Sequence, residues 1–321
     1  MKTILSIDGG GIRGMIPALV IAELEKRLGK PACRVFDFIA GTSTGGILAL
    51  GLARPSGSDS KSPRYSANDL AQLYSKEGEK IFQRSLWHRV EALGNLAGPR
   101  YDGAGAADVF FRYFQREHLK SALTNVLVTA YEIESRMPYF FRSWEAARDP
   151  TCDYAMMSVA LATSAAPTYF PPAKLSNGQT RVFIDGGVFA NNPTMCAISE
   201  VKKLYPLEAL LVVSLGTGNA DRPITFDNAR DWGLAAWAEP LLDVLIDGVS
   251  DVVDVQSAMV VTAGDKPGHY YRFQTDLPRD IQEMDDVRPK TIELLGAWAE
   301  RLIVSKSAAL DEICAQLAAR A

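Results

Sequence analysis

A serine in a glycine-rich turn is the first side chain of this sequence that could act as a nucleophile. Gly41-Thr42-Ser43-Thr44-Gly45 fits G-x-S-x-G, the turn that lifts a serine hydroxyl above a sheet where a strand passes abruptly into a helix. An apolar run, VFDFIA, precedes the turn, and a second one, ILALGLA, follows it. The pattern favours Ser43 as the nucleophile of an acyl transfer, and a turn that merely permits tight packing is the alternative.

A run of glycines after Asp8 forms a second candidate site. Successive glycines before a helix can point their backbone N–H groups together at a negative oxygen, as an oxyanion hole requires. Gly9, Gly11 and Gly14 also satisfy G-x-G-x-x-G, the dinucleotide-binding fingerprint. That fingerprint requires an acidic residue about 20 positions further on, at the end of the second strand. Asp37 lies instead inside the run that leads into the serine turn, so an oxyanion hole is the preferred interpretation.

Asp185 is the candidate general base. It follows a short β-prone run and precedes two glycines, which would place its carboxylate at the same carboxyl edge of a parallel sheet as Ser43. A structural turn aspartate is the alternative. The order serine then aspartate also fits an α/β-hydrolase triad, which needs a later histidine, and His269 is the only one after Asp185. The position of His269 at a predicted strand start is more typical of a structural or surface residue.

The elements that must position these residues follow from periodicity. A strand over 3–7 leads through the glycines to a helix that ends at Gly29, and a strand over 35–40 leads through the serine turn to a helix that ends at Ala53. Two such units in succession predict a parallel sheet with α/β organisation. Ser66 and Asp69 have the spacing of a helix N-cap. Further strands are predicted over 126–133, 139–144, 181–184, 209–215 and 269–274, and helices over 154–163, 231–261 and 291–319.

Bulk composition excludes several classes of protein. The 321 residues are 47 % hydrophobic and 22 % charged, as in ordinary folded proteins. A net charge of −4 and a pI near 5.6 argue against nucleic acid as a partner. Four scattered cysteines and three separated histidines indicate neither a disulfide framework nor a metal site, so we expect a reduced, cytosolic protein without a metal or another cofactor.

Contact with lipid, if it occurs, should be peripheral. The amino-terminal stretch has the pattern of a first strand and not that of a signal peptide. No apolar run approaches the roughly 18 residues that span a bilayer. Residues 86–101 combine apolar side chains with Gly and Pro, which is typical of a cap or lid. Within this segment Trp87 is the predicted anchor for a membrane or micelle surface.

Four segments together resemble the patatin family of serine lipid acyl hydrolases. The resemblance extends over about 4–194, with YDG at 101–103 as weaker support. The four segments are DGGGIRG at 8–14, GTSTGG at 41–46, TSAAPTYFPP at 163–172 and DGGVFANNP at 185–193.

The resemblance implies a three-layer α/β/α fold with a mostly parallel central sheet, in a single catalytic domain over 1–321 whose part from 195 onward completes the sheet and the helical layers. By position, it implies Ser43 as nucleophile, Asp185 as base, the amides of Gly10 and Gly11 as the oxyanion hole, and Arg13 as a brace for that loop. Phospholipids, galactolipids or neutral lipids would be the substrates, without a metal or cofactor. A regulated effector phospholipase and a lipid-binding module without activity are the alternatives.

Overall fold

A computed structural model describes residues 1–57, 60–83, 98–220, 223–263 and 266–320 of the protein. The strands in these ranges are β1 (Lys2–Ile7), β2 (Phe38–Thr42), β3 (Asn125–Glu132), β4 (Met137–Arg142), β5 (Ala173–Asn177), β6 (Gln179–Asp185), β7 (Leu210–Leu215), β8 (Asn219–Ala220), β9 (His269–Phe273) and β10 (Asp276–Leu277). The α-helices are α1 (Met15–Leu28), α2 (Ala32–Val35), α3 (Thr44–Ala53), α4 (Ala67–Ile81), α5 (Ala104–Phe114), α6 (Ser143–Ala146), α7 (Met156–Thr163), α8 (Gly187–Ala190), α9 (Thr194–Leu204), α10 (Phe226–Ala229), α11 (Leu234–Thr262), α12 (Pro289–Ser305) and α13 (Ser307–Ala318). A short 3-10 helix, Gly11–Gly14, connects β1 to α1.

The central sheet is mostly parallel, as the sequence predicts. β1 lies in its middle and pairs in parallel with β2 on one side and with β7 on the other. β3 continues the parallel order beyond β2, and β9 continues it beyond β7. β4 and β6 pair with β3 in the antiparallel direction, and β5 pairs with β6 in the same way.

Apolar layers cover both faces of this sheet. β7 is buried at all six of its residues because its sequence, LLVVSL, is almost continuously apolar and suits a strand covered on both faces. On one face Leu5 and Val213 belong to a large core, and on the other Ile4 and Val212 belong to a smaller core that includes Ile198 of α9. Helices on both faces therefore give the three-layer α/β/α arrangement, which confirms the predicted fold class.

Two predicted helix boundaries are confirmed by the local backbone. α1 ends at Leu28 because Gly29 adopts a left-handed conformation with φ of 62°. α4 begins after Ser66, whose hydroxyl accepts a hydrogen bond from the amide of Asp69 while the Asp69 carboxylate accepts one from the Ser66 amide. This reciprocal pair is the capping box that the spacing predicts.

The structure corrects other predictions. The helix expected over 291–319 is interrupted at Lys306, which has φ of −107° and ψ of 17° and separates α12 from α13. β5 was not predicted, and β6 reaches the carboxyl edge of the sheet from the opposite direction to the parallel strands. Trp87 and most of the predicted lid, at 84–97, lie outside the described residues.

Within the described part of the chain, no helix has both the length and the apolar composition needed to cross a bilayer.

Candidate active site

Two strands that arrive from opposite directions meet end to end beside β3. Thr129 of β3 pairs with Thr42 of β2 on one edge and with β4 on the other. The next residue, Ala130, pairs with Asp185 of β6 while β4 still occupies the other edge. β2 and β6 therefore share one edge of β3, one after the other. This junction brings Ser43, which follows Thr42, close to Asp185.

Ser43 lies at a strained turn between β2 and α3. Its φ of 54° and ψ of −122° belong to a region that L-residues rarely adopt, at a cost of roughly 1–3 kcal/mol. The flanking glycines are needed because the backbone approaches itself closely. A methyl group on Gly41 would lie 2.1 Å from the Gly45 carbonyl oxygen, and one on Gly45 would lie 2.1 Å from the Ile7 carbonyl oxygen. The G-x-S-x-G spacing thus reflects steric necessity on both sides of the serine.

The end of α7 holds both candidate catalytic residues in place. The Ser43 amide donates a 2.8 Å hydrogen bond to Thr163 Oγ1, and that hydroxyl donates a 2.7 Å hydrogen bond to the Thr129 carbonyl oxygen. Two residues further on, the carbonyl oxygen of Ala165 accepts a 3.0 Å hydrogen bond from the Asp185 amide. The TSAAP segment therefore fixes the serine and the aspartate relative to each other. Sequence reasoning quoted this motif but assigned it no role.

The Asp185 carboxylate lies in an environment that makes it more basic. Burial raises its pKa to about 6, against the opposing effects of hydrogen bonds from the Ser43 side chain and the Gly187 amide. The Gly187 amide lies 2.7 Å from Asp185 Oδ1. A carboxylate with this pKa is ionised at neutral pH, yet it accepts a proton far more readily than an exposed aspartate does.

The glycine loop carries two amides that are free to bind a ligand. Among the described residues, none accepts a hydrogen bond from the amide of Gly10 or of Gly11. Both glycines line the same cavity as Ser43 and Asp185. The loop approaches the serine so closely that a methyl group on Gly9 would lie 3.3 Å from Ser43 Cβ. Two adjacent amides beside a serine hydroxyl have the arrangement of an oxyanion hole.

Backbone contacts from distant parts of the chain hold this loop. The Gly9 amide donates to the Asn191 carbonyl oxygen at 3.0 Å, and the Ile12 amide donates to the Met284 carbonyl oxygen at 2.9 Å. These two amides therefore have acceptors within the protein and help to fix the position of the loop.

Side chains brace the loop from behind. Arg13 is buried and donates from Nε to the Gly10 carbonyl oxygen and from Nη1 to the Gly218 carbonyl oxygen, both at 3.3 Å. Thr217 Oγ1 donates a 2.7 Å hydrogen bond to the Gly9 carbonyl oxygen. A methyl group on Gly10 would lie 2.2 Å from that same Thr217 oxygen, so position 10 has no room for a side chain. Thr217 follows β7 in a Gly-Thr-Gly turn, which is the sequence signal that could have identified it.

A buried ion pair lies at the base of the loop. Arg272 of β9 contacts the Asp8 carboxylate with two nitrogens, at 3.1 and 2.5 Å, and also donates to Ser214 Oγ at 2.8 Å. Burial raises the pKa of Asp8, and the neighbouring Arg272 guanidinium opposes that effect. Sequence reasoning missed this pair, although an arginine in the otherwise aromatic run HYYRF was a signal.

The cavity above Ser43 is lined mainly by apolar side chains. Its volume is about 100 Å³. Ser43, Asp185 and the glycine loop form its floor, and the walls come from α4, α5, the segment after α7, and α11. The apolar side chains that line it include Ile47, Leu73, Ile81, Phe82, Phe110, Phe170, Val188, Ile246 and Met284. A lining of this character suits a hydrocarbon chain better than a polar ligand.

The structure does not bring His269 to this site. His269 begins β9 opposite Leu211, whereas Ser43 follows the carboxyl end of the parallel strand β2. The length of β9 alone therefore separates His269 from that edge of the sheet, at about 3.3 Å per residue. The imidazole is exposed and stacks on Tyr271, with ring centroids 6.5 Å apart.

The described residues were also compared with the requirements of a metal site. Among residues that the structure describes, no three histidine, cysteine or carboxylate side chains are grouped so that they could hold a metal ion.

Comparison with known proteins gives one consistent family. The family model described as Patatin-like phospholipase matches residues 5–198. "Patatin-like protein 2" of Oryza sativa subsp. indica is 34 % identical and covers 97 % of this chain and 86 % of its own length. "Patatin-like protein 4" of Arabidopsis thaliana is 34 % identical, with 94 % of this chain and 83 % of its own length covered. "Patatin-T5" of Solanum tuberosum is 31 % identical, and the match covers 97 % of this chain and 86 % of that protein.

Among solved structures, VipD from Legionella pneumophila aligns with 92 % of this chain and 67 % of its own chain at 13 % identity. The TM-score of this alignment is 0.37.

Proposed function

The chain belongs to the patatin-like phospholipase family, and on that premise we propose that it is a lipid acyl hydrolase with Ser43 as nucleophile and Asp185 as base. The amides of Gly10 and Gly11 form the oxyanion hole, and Arg13 holds their loop in place. The substrates are fatty-acyl esters of phospholipids or related lipids.

One observation supports this proposal above all others. The end-to-end meeting of β2 and β6 beside β3 places the serine and a buried carboxylate in one apolar cavity with two free backbone amides. A nucleophile, a base that touches it and donors for a developing negative charge are the parts that acyl transfer requires. Asp185 is the carboxylate of this cavity that is hydrogen-bonded to the Ser43 side chain.

The reaction follows from these groups. Asp185 accepts the hydroxyl proton as Ser43 Oγ attacks the ester carbonyl carbon, and the Gly10 and Gly11 amides stabilise the oxyanion of the tetrahedral intermediate. When the intermediate collapses, the C–O bond to the alcohol breaks, and Asp185 returns the proton to the departing oxygen. Water then attacks the acyl-serine, again with Asp185 as base, and the fatty acid is released. The raised pKa of Asp185 suits a group that must both accept and return a proton near neutrality.

The test measures fatty-acid release from phosphatidylcholine, galactolipid and triacylglycerol dispersions. We expect Ser43→Ala and Asp185→Asn each to abolish turnover, and the double variant to be little worse than either single one, because the two residues act as a unit. His269→Ala is the matched control and should keep kcat within a few-fold. A folded His269→Ala protein that loses activity by orders of magnitude, or an active Asp185→Asn protein, would overturn the dyad.

A further inference from the structure

The edge of the sheet opposite the catalytic cavity carries a second pocket, which we call the amino-edge pocket. It lies where β2 and β3 begin, since Phe36 and Asp37 immediately precede β2 and Thr124 immediately precedes β3. Ser43 follows the other end of β2, whose five residues span about 16 Å at about 3.3 Å per residue. Among the described residues, none lines both the amino-edge pocket and the catalytic cavity. The amino-edge pocket is therefore separate from the site of the proposed hydrolysis.

Cationic side chains from four separate parts of the chain converge on the amino-edge pocket. Its lining contains one carboxylate, that of Asp37, although the chain as a whole has a net charge of −4. Like charges that are brought together repel one another, and an anion bound among them relieves that repulsion. The cationic residues of the lining are Lys30, Arg34, Lys120, Arg148 and Arg320.

Two of these cations already have carboxylate partners. Arg320 pairs with Asp37 at 2.6 Å. Lys120 pairs at 3.0 Å with Asp153, which does not itself line the pocket. The positive charge of these two side chains is therefore largely offset by the protein.

The other three cations are available to a ligand. Lys30, Arg34 and Arg148 are exposed. Arg34 uses one of its N–H groups in a hydrogen bond from Nη2 to the Lys61 carbonyl oxygen. Within the part of the chain that the structure describes, the side chains of Lys30 and Arg148 have no hydrogen-bond or ion-pair partner. Positive charge in this pocket thus exceeds what the surrounding carboxylates offset.

The shape of the amino-edge pocket suits a small ligand. Its volume is about 700 Å³, and small-molecule sites commonly enclose about 300–1,000 Å³. Cys33 and Ser143 in its lining are buried, and Trp144 is half-buried, so the pocket reaches below the exposed cations. A ligand can therefore enter the pocket and still meet the charged groups.

The types of cation indicate the chemistry of that ligand. A guanidinium group presents parallel N–H donors that match two oxygens of a phosphate, and a lysine ammonium adds a compact point charge. Because Lys30, Arg34 and Arg148 come from separate parts of the lining, an anion with a single charge cannot satisfy all three. An anion with several phosphate groups can.

We propose that the amino-edge pocket binds a small polyanion that carries two or more phosphate groups. A free polyphosphate and the phosphorylated head group of a lipid present this same chemistry, and binding experiments distinguish the two sources. The site does not depend on the proposed hydrolysis, because it shares no described residue with the catalytic cavity.

Isothermal titration calorimetry of the full chain with sodium tripolyphosphate tests the pocket directly. We expect one molecule to bind per chain, with an affinity that falls as NaCl is added and that exceeds the affinities for orthophosphate and citrate. Lys30→Gln/Arg148→Gln should weaken binding at least about tenfold, because two cations without partners are removed. Lys174→Gln/Arg301→Gln is the matched control, since it removes the same charge from exposed residues outside this pocket, and it should leave the affinity unchanged.

Urea unfolding should be the same for both double variants and the wild-type protein, since all four replaced side chains are exposed. Sedimentation with phosphatidylcholine vesicles that contain phosphatidylinositol bisphosphate then identifies the source of the phosphates. Vesicle binding that tripolyphosphate displaces and that Lys30→Gln/Arg148→Gln abolishes supports a lipid head group. Binding of tripolyphosphate without binding of these vesicles supports a free polyphosphate.

Three results would overturn the proposal. The first is that neither tripolyphosphate nor the vesicles bind. The second is that the two double variants weaken binding equally, which would mean that only the net charge of the protein matters. The third is that citrate binds more tightly than tripolyphosphate, which would exclude phosphate groups as the preferred ligand. None of these measurements involves hydrolysis, so their outcome is distinct from that of the activity assays.

Discussion

The backbone amide of Ser43 is hydrogen-bonded to the side chain of Thr163, although 120 residues separate them in the chain. The same hydroxyl donates to the Thr129 carbonyl oxygen, so Thr163 bridges the serine turn and β3. We predict that Thr163→Val destabilises the fold by about 1–3 kcal/mol, because the partly buried Ser43 amide and the buried Thr129 carbonyl oxygen both lose the hydrogen bond to this hydroxyl. It should also lower kcat with little change in KM, since the turn that positions the nucleophile loses its support.

Thr163→Ser is the matched control, because it keeps the hydroxyl and removes only a methyl group. Urea unfolding and steady-state kinetics would measure both effects. If valine and serine at position 163 gave the same kcat, the hydrogen bond would have no part in positioning Ser43.

The strained backbone of Ser43 gives a second prediction. Glycine adopts φ of 54° and ψ of −122° without the steric cost that any L side chain incurs. Both Ser43→Gly and Ser43→Ala should be inactive, but Ser43→Gly should be more stable than Ser43→Ala by about 1 kcal/mol. Thermal unfolding of the two proteins would show this order. The reverse order would mean that the turn stores no strain.

The rate of hydrolysis should depend on pH through a single ionisation. Because burial raises the pKa of Asp185 to about 6, the base is ionised above that pH and protonated below it. We predict that kcat/KM for a soluble ester is level above about pH 7 and falls about tenfold for each pH unit below 6. A rate that keeps falling below pH 8 would indicate a different base.

The same pKa makes a prediction about stability. Since the pKa of Asp185 lies higher in the folded protein than its ordinary value of 3.8, the folded state loses stability as pH rises from about 4 through 6, and the whole cost of roughly 3 kcal/mol is present above that range. Asp185→Asn removes this charge and keeps an acceptor for the Gly187 amide. It should therefore raise the free energy of unfolding by up to about 3 kcal/mol at pH 8, and by progressively less as the pH falls to 4. Denaturant unfolding at several pH values would measure this gain in the free energy of unfolding. A gain of the same size at every pH would contradict the prediction.

The buried pair of Asp8 and Arg272 provides a further prediction. Arg272→Met should destabilise the protein by about 3–5 kcal/mol, because it leaves the Asp8 carboxylate buried without its partner. Adding Asp8→Asn should recover much of that loss. Arg230→Met is the matched control, since Arg230 forms a solvent-exposed pair with Asp231 and its loss should cost less than about 1 kcal/mol. Equal effects of the two arginine substitutions on urea unfolding would contradict this account.

The parts of the site that the sequence predicts are those built from neighbouring residues. Ser43 is recognisable because strand, turn and helix follow one another along the chain, and the capping box of α4 needs only Ser66 and Asp69. The direction of β6 could not be predicted, because it depends on which edge of β3 remains free after β2 and β4 have paired. Thr163 was present in a quoted motif, but its role follows only from contacts with residues that are distant in sequence.

The break at Lys306 was missed for a different reason. The apolar spacing is helical on both sides of it, so periodicity gives no sign that the chain changes direction there. A helix boundary without a capping side chain, glycine or proline is visible only in the backbone angles.

The hydrogen bond between the Ile12 amide and the Met284 carbonyl oxygen also bears on how the enzyme comes into being. On the ribosome, the glycine loop, the serine and the aspartate are all synthesised well before residue 284 emerges. Until it does, one of the contacts that shape the loop has no acceptor, and the cavity wall that Met284 contributes is missing. A nascent chain thus carries Ser43 and Asp185 in an unfinished site, so the proposed lipid hydrolysis can begin only after residue 284 has been synthesised.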